Sequence, residues 1–169
     1  IGSMVVISTL RTIIELLTWD KTLKNRLESS RLIFIPILNP VGMYRRSRSN
    51  GNGVDLMRNA QVYSEEATWF LYGGHRLSPK MPFYRGALAD GMEIENQVLC
   101  DFLEERVFSS SVSICLDVHS GFGGTDRLWF PYARTKKPFP YYVQAYAFRE
   151  LLGNTYPNHA YAVEPQSIQ

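Results

Sequence analysis

The fold class is decided by one short stretch, Val112-Ser113-Ile114-Cys115-Leu116-Asp117-Val118. Apolar and polar residues alternate at its start, and apolar residues dominate its end, a pattern typical of a strand in the middle of a sheet. His119 follows directly. The stretch therefore predicts a buried strand with a histidine at its carboxyl end.

A second strand is predicted upstream, over Leu32-Ile33-Phe34-Ile35-Pro36-Ile37-Leu38. This continuous apolar run is rich in branched residues, which suits a strand covered on both faces. Because Pro36 lacks a backbone donor, the strand lies at a sheet edge or ends near that residue. Residues 127–132 form a third, shorter candidate strand.

Helices are predicted between these strands. Apolar residues recur at three- and four-residue intervals over 3–18 and 93–107, and residues 141–152 form another candidate helix that ends at Gly153. Alternating helices and buried strands predict an α/β fold: a mixed, largely parallel sheet with helices on both faces, in a single partial domain over 1–169. Sites in such folds lie beyond the carboxyl ends of strands.

Three segments give weaker patterns. Residues 42–53 carry arginines among serines, asparagines and glycines, which favours a loop. Residues 61–88 show no sustained period and are predicted to be largely irregular. The charged residues 21–31 are either a helical piece or an exposed connection.

Composition excludes several classes of protein. The chain has 169 residues, 45% of them hydrophobic, and a net charge of +2, so neither disorder nor a nucleic-acid partner is predicted. Residues 4–17 are interrupted by Arg11 and Glu15 and fall short of the ~20 apolar residues that span a bilayer, so no membrane partner is predicted. Cys100 and Cys115 are predicted to be buried thiols.

Two groups of side chains suggest chemistry. Asp117 and His119 are two residues apart, so on a strand they share a side, where a neutral imidazole can bind zinc; the alternative is a hydrogen-bonded histidine in a turn. The second group consists of Arg45, Arg46, Arg48 and Arg58. Their guanidinium forks either hold carboxylates and stabilise an oxyanion, or form a solvated loop.

Four blocks together resemble the zinc carboxypeptidase family. They are Asn39-Pro40-Val41-Gly42, then Arg45, then Gly53-Val54-Asp55-Leu56-Met57-Arg58-Asn59, and finally Asp117-Val118-His119-Ser120. The family pattern is Asn-Pro-Asp-Gly, an arginine, Gly-Val-Asp-x-Asn-Arg-Asn and a histidine followed by serine. Residues 91–95 also resemble the acidic helix start between those blocks. The likeness spans 32–120 and is closer to an uncharacterised bacterial-type branch than to the digestive enzymes.

The resemblance implies a zinc-dependent hydrolase that cleaves a peptide or amide bond near a free carboxylate. His119 matches the family's third zinc ligand. Arg45 matches the arginine that polarises the scissile carbonyl and stabilises the oxyanion, and Arg58 matches the arginine that pairs with the substrate's terminal carboxylate. Zinc is the implied cofactor, and a peptide or an acylated amino acid is the implied substrate.

The departures from the family pattern define the alternatives. Met57 replaces an asparagine that helps hold the carboxylate, and a thioether donates no hydrogen bond. Neither His75 nor His159 begins a His-x-x-Glu pair, and Glu164 comes too early to match the family's general base. The chain, which starts at Ile1, is therefore expected to be part of a longer protein and inactive alone.

Two rival functions remain open at this point. One is a binding module of the same fold that grips carboxylates through Arg45 and Arg58 without catalysis, which Met57 favours slightly. The other is a related amino-acid deacylase, which shares the zinc ligands and removes acyl groups.

Overall fold

The computed structural model describes residues 2–60, 62–65, 73–119, 124–130 and 135–164. Within them the regular elements, in chain order, are α1 (Gly2–Trp19), α2 (Lys21–Leu27), α3 (Pro40–Arg45), α4 (Ile94–Arg106), β1 (Arg127–Trp129), α5 (Tyr142–Thr155) and β2 (Ala162–Glu164). Short 3-10 helices cover Leu56–Arg58 and Leu88–Asp90.

The sheet consists, in the described residues, of β1 and β2 in parallel. Arg127 lies opposite Ala162, and Trp129 lies opposite Glu164. Parallel strands need a crossover connection, and α5 lies within that connection. Helices combined with a parallel sheet confirm the predicted α/β class. β1 confirms the start of the strand predicted over 127–132, whose last two residues lie outside the described part, whereas β2 was not predicted.

Two of the predicted strands are wrong. Residues 32–38 and 112–118 adopt no regular secondary structure, and no backbone hydrogen bond joins either segment to another described residue. A strand is stable only where a neighbour completes its ladder and covers its faces, and apolar composition does not supply that neighbour. The predicted helices on both faces of a broad sheet are likewise not seen in these residues. Because residues 112–118 form no strand, Cys115 is exposed. Cys100 is half-buried, so neither cysteine is the buried thiol that was predicted, although both are free.

The helix predictions fare better. α1, α4 and α5 confirm the three predicted helices, and α2 confirms a helical piece after residue 20. α5 runs through Gly153 to Thr155, so that glycine does not end the helix. α3 was not predicted: Asn39 caps it by accepting from the Gly42 N–H at 2.8 Å, and Pro40 occupies its first turn. The loop predicted from residue 42 therefore starts later.

The length and hydropathy of α1 together were not predicted. Its 18 residues have a mean hydropathy of 1.2, which is enough by length and composition to cross a membrane. Core helices of soluble proteins and signal sequences near an N-terminus pass the same test, so this is weak evidence. The absence of a membrane partner stays a prediction.

The buried centre of the described residues is largely polar. Its apolar members are Val54 and Leu56, and its polar members are Asn50, Asp55, Asn59 and His75. Buried polar groups are tolerated only when their hydrogen bonds are made, and no described buried side chain lacks a partner. Hydrogen bonding therefore specifies this centre more than apolar packing does.

Asn59 is the residue that joins this centre to α4. Its amide donates to the carbonyls of Arg85 at 2.8 Å and Gly91 at 3.3 Å. Its Oδ1 accepts from the Glu93 N–H at 2.6 Å, and the Asn96 amide donates to the Leu56 carbonyl at 2.8 Å. The start of α4 is thus tied to the segment that carries Asp55 and Arg58.

We expect Asn59→Ala to lower the free energy of unfolding by about 2 kcal/mol, because it leaves partly buried backbone groups without partners. Asn158→Ala is the matched control, since Asn158 is exposed and makes no side-chain bond to a described residue, and it should stay within about 0.5 kcal/mol of wild type. Denaturant titration measures both. Equal stabilities for the two variants would contradict the role given to Asn59.

Candidate carboxylate-binding site

The candidate site is built around Asp55, which is 2% exposed. Asp55 precedes the 3-10 helix Leu56–Arg58 and caps it, with Oδ1 accepting from the Met57 N–H at 3.2 Å. Its own N–H donates to the Tyr84 carbonyl at 2.8 Å. These bonds leave Oδ2 as the oxygen available to other partners.

Two guanidinium groups converge on that oxygen. Arg48 Nε donates to Asp55 Oδ2 at 2.6 Å, and Arg58 Nη1 donates to the same atom at 2.9 Å. The Arg48 side chain is 52% exposed and that of Arg58 is 13% exposed. Charge-assisted bonds of this kind are short and strong. Arg48 comes from the loop after α3 and Arg58 from the 3-10 helix, so Asp55 connects two parts of the chain.

Phe83 lies against both cations. Its ring centroid is 4.4 Å from Arg58 Cζ and 5.3 Å from Arg48 Cζ, within the range of cation–π attraction. The backbone of Phe83 has φ of 68°, in the left-handed region that bulky residues rarely adopt. Such a conformation costs about 1–3 kcal/mol and persists only where the surroundings hold it.

Gly74 lets the loop before Phe83 approach the arginines closely. Its φ is 79°, and a Cβ there would lie 2.6 Å from Arg85 Cγ and 3.0 Å from Arg58 Cδ. Arg85 in turn donates from Nε to the Arg58 carbonyl at 3.0 Å. The stem of Arg58 is therefore packed on one side by a backbone that only glycine can provide.

Asp55, Arg48 and Arg58 form a cluster of one carboxylate and two guanidiniums. Counted over these three side chains, the charge is positive, and a positive charge attracts an anion. Burial lowers the pKa of the Arg58 guanidinium, the Asp55 charge opposes this, and the Arg48 charge adds to it. Arginine nevertheless stays protonated in proteins. The cluster can therefore bind an anion such as a carboxylate.

Met57 borders the cluster and is 51% exposed. Its sulfur accepts from Arg48 Nη2 at 3.3 Å. At this position the side chain offers a weak acceptor and no donor. An anion bound beside it therefore depends on the guanidiniums for its hydrogen bonds.

Arg58 lies in the cluster, whereas Arg45 does not. Arg45 occupies the last turn of α3, is exposed, and forms no ion pair with a described residue. The structure brings Arg48 to Asp55 instead. Arg48 was one of the four candidate arginines, but the sequence pattern did not distinguish it from the others. The guanidinium that reaches Asp55 is decided by the turn of α3, which was not predicted, and by the left-handed Arg46 that ends it.

His119 is the candidate metal ligand. Its side chain is 41% exposed, and its Nε2 lies 2.8 Å from Asp117 Oδ2, although the strand on which the two were predicted to share a side does not form. The ring also lies near Trp129, with centroids 6.5 Å apart. Ser120, which completes the motif, lies outside the described residues. In this arrangement the imidazole is engaged by its neighbouring carboxylate.

Glu164 has a structural position. Its Oε1 accepts from Arg127 Nη1 at 2.8 Å and from Trp129 Nε1 at 3.2 Å. Both donors are on β1, while Glu164 ends β2. The carboxylate therefore joins the two strands.

Comparison with known protein families matches residues 1–166 to the zinc carboxypeptidases. The chain belongs to the zinc carboxypeptidase family. A search of curated proteins and a search of solved structures each found no match. Membership makes the chain part of a family of zinc-dependent hydrolases, metallopeptidases whose substrates are peptides.

The zinc that this family uses is not accommodated by the described residues. A catalytic zinc site takes three protein ligands and keeps one position open. Among residues 2–60, 62–65, 73–119, 124–130 and 135–164, no three histidine, cysteine, aspartate or glutamate side chains form such a group. His119 with Asp117 is an incomplete set.

We expect Asp55→Asn to destabilise the chain strongly, because it leaves two guanidiniums beside a neutral amide. Removing one partner of a buried ion pair costs about 3–5 kcal/mol, and solvent screening of the exposed Arg48 places the expected loss near the lower end. Asp126→Asn, at an exposed aspartate without an ion pair to a described residue, is the control. Unfolding of both variants in urea tests this, and a small loss for Asp55→Asn would show that Asp55 does not hold the cluster.

Proposed function

We propose that this chain is part of a zinc-dependent hydrolase that cleaves a peptide or amide bond near a free carboxylate. The observation that carries the proposal is the arginine pair on Asp55. Arg48 and Arg58 are held in place by one buried carboxylate oxygen, and the cluster keeps a net positive charge. A substrate's terminal carboxylate is the anion that suits it.

Hydrogen-bond capacity supports the same assignment. A guanidinium carries five N–H donors in a planar fork that matches a carboxylate in a bidentate way. Toward described partners Arg48 uses Nε on Asp55 and Nη2 on Met57. Its other donors, together with the charge of Arg58, are suited to a substrate carboxylate at the exposed side of the cluster.

The oxyanion role of Arg45 stays a prediction, as does the role of His119 as a zinc ligand. Family membership supports both assignments, because the matched region includes the two residues. The position of Arg45 outside the cluster supports separate tasks, with Arg58 binding the carboxylate and Arg45 acting elsewhere on the substrate.

A non-catalytic carboxylate-binding module is the second candidate, and Met57 favours it. A thioether at this position removes the donor that the family's asparagine supplies. The incomplete ligand set at His119 points the same way for the described residues. In that case the arginine pair binds free carboxylates and no bond is cleaved.

The test is hydrolysis by the natural protein that carries this sequence, with an acylated dipeptide and its C-terminal amide as substrates. We expect cleavage of the free acid only. Arg58→Ala should lower kcat/KM for the acid by roughly 30-fold or more, since truncating one partner of a charge pair costs about 2–5 kcal/mol. Arg58→Lys should be intermediate, because lysine keeps the charge but not the fork.

Arg149→Ala on α5 is the control, because Arg149 is exposed and forms no ion pair with a described residue. It should leave kcat/KM unchanged. Binding of the acid without turnover in wild type would favour the binding module, and faster cleavage of an acylated amino acid than of the dipeptide would favour a deacylase. An unaltered preference for the acid in Arg58→Ala would contradict the proposal.

A further inference from the structure

Phe83 combines an unusual backbone with a position at the arginine cluster. Its φ of 68° is a conformation that a bulky side chain rarely adopts. Outliers of this kind cluster at sites where the strained geometry serves a function. The strained backbone therefore indicates that the position of the Phe83 ring serves a function at the arginine cluster.

The turn around Phe83 is held by three successive carbonyls. The Pro82 carbonyl lies 2.8 Å from His75 Nε2, the Phe83 carbonyl accepts from the His75 N–H at 3.1 Å, and the Tyr84 carbonyl accepts from the Asp55 N–H at 2.8 Å. His75 is itself buried. Because Asp55 is bonded to the same turn, the ring and the carboxylate are fixed relative to each other.

The ring and the carboxylate act on different parts of the same cations. Asp55 accepts N–H groups at the edges of the two guanidiniums, while Phe83 lies 4.4 Å and 5.3 Å from their central carbons. Stacking on a ring leaves the N–H edges of a guanidinium available for hydrogen bonds. The ring also offsets the repulsion between two neighbouring cations, since its face is negative.

We propose that Phe83 is a positioning residue for the substrate carboxylate. Its ring holds the guanidiniums of Arg48 and Arg58 in the orientation in which both can bind that carboxylate. The inference rests on the proposed function, because it gives the arginine pair the same ligand. It adds a residue outside the motif blocks that carry the family resemblance.

The first measurement compares the arginine Nε–H resonances of wild type and Phe83→Leu. Protons above an aromatic face are shifted upfield by the ring current, so loss of the ring should move the Nε–H resonances of Arg48 and Arg58 downfield, with the Arg48–Asp55 hydrogen bond present in both proteins. Tyr63 provides a matched ring, because it lies 4.5 Å from Arg85 Cζ and not under the arginine pair. Tyr63→Leu should therefore leave the resonances of Arg48 and Arg58 in place.

The second measurement is the affinity for N-acetylglycine, an aliphatic probe with a free carboxylate. We expect Phe83→Leu to weaken binding roughly tenfold and Phe83→Tyr, which keeps the aromatic face, to stay near wild type. Phe83→Gly is included because glycine adopts φ of 68° readily and should fold well, yet it should lose affinity as Phe83→Leu does. A residue that only stabilised the loop would not give that combination.

The outcomes separate the two claims. If wild type binds N-acetylglycine and both ring-free variants bind it equally well, the inference about Phe83 is wrong and the proposed function stands. Nε–H resonances of Arg48 and Arg58 that do not move in Phe83→Leu would also overturn the inference. If wild type does not bind N-acetylglycine at all, the proposed function fails and the inference fails with it.

Discussion

The buried carboxylate of Asp55 is the constraint on which the described structure depends. A charge that is removed from water must be paired and hydrogen-bonded, or the folded state loses several kcal/mol. Here Oδ1 caps a 3-10 helix, Oδ2 accepts from Arg48 and Arg58, and the backbone N–H binds Tyr84. One residue thus connects the loop after α3, the 3-10 helix and the turn that carries Phe83.

The polar centre extends this arrangement to α4. The Asn59 side chain binds the Arg85 carbonyl and the N–H of Glu93, the residue that precedes α4, and Asn50 donates to Glu93 at 2.8 Å. Networks of this kind specify one arrangement of their members because each group needs its partner. The result is a hydrogen-bonded frame around the arginine pair, in which the buried apolar side chains of the described residues are Val54 and Leu56.

The elements that were predicted correctly are those that local periodicity determines. Long periodic segments gave α1 and α4 correctly. The strand predicted over 112–118 was wrong, because a strand needs a neighbour from elsewhere in the chain and none of the described residues pairs with it. The pairing of Arg48 and Arg58 with Asp55 was not predicted, because it depends on the turn of α3, which was not predicted either. Phe83 has a left-handed backbone in a turn whose Phe83 and Tyr84 carbonyls accept from the N–H groups of His75 and Asp55, so no local pattern predicts it.

The central claim is that the arginine pair on Asp55 recognises a free carboxylate. Calorimetric titration of the wild-type chain with N-acetyl-L-leucine and with its primary amide tests it most directly, because the two ligands differ only in that group. The account predicts that the acid binds roughly tenfold or more tightly than the amide, since charge-assisted hydrogen bonds are lost with the amide. Equal affinities for the acid and the amide would contradict it.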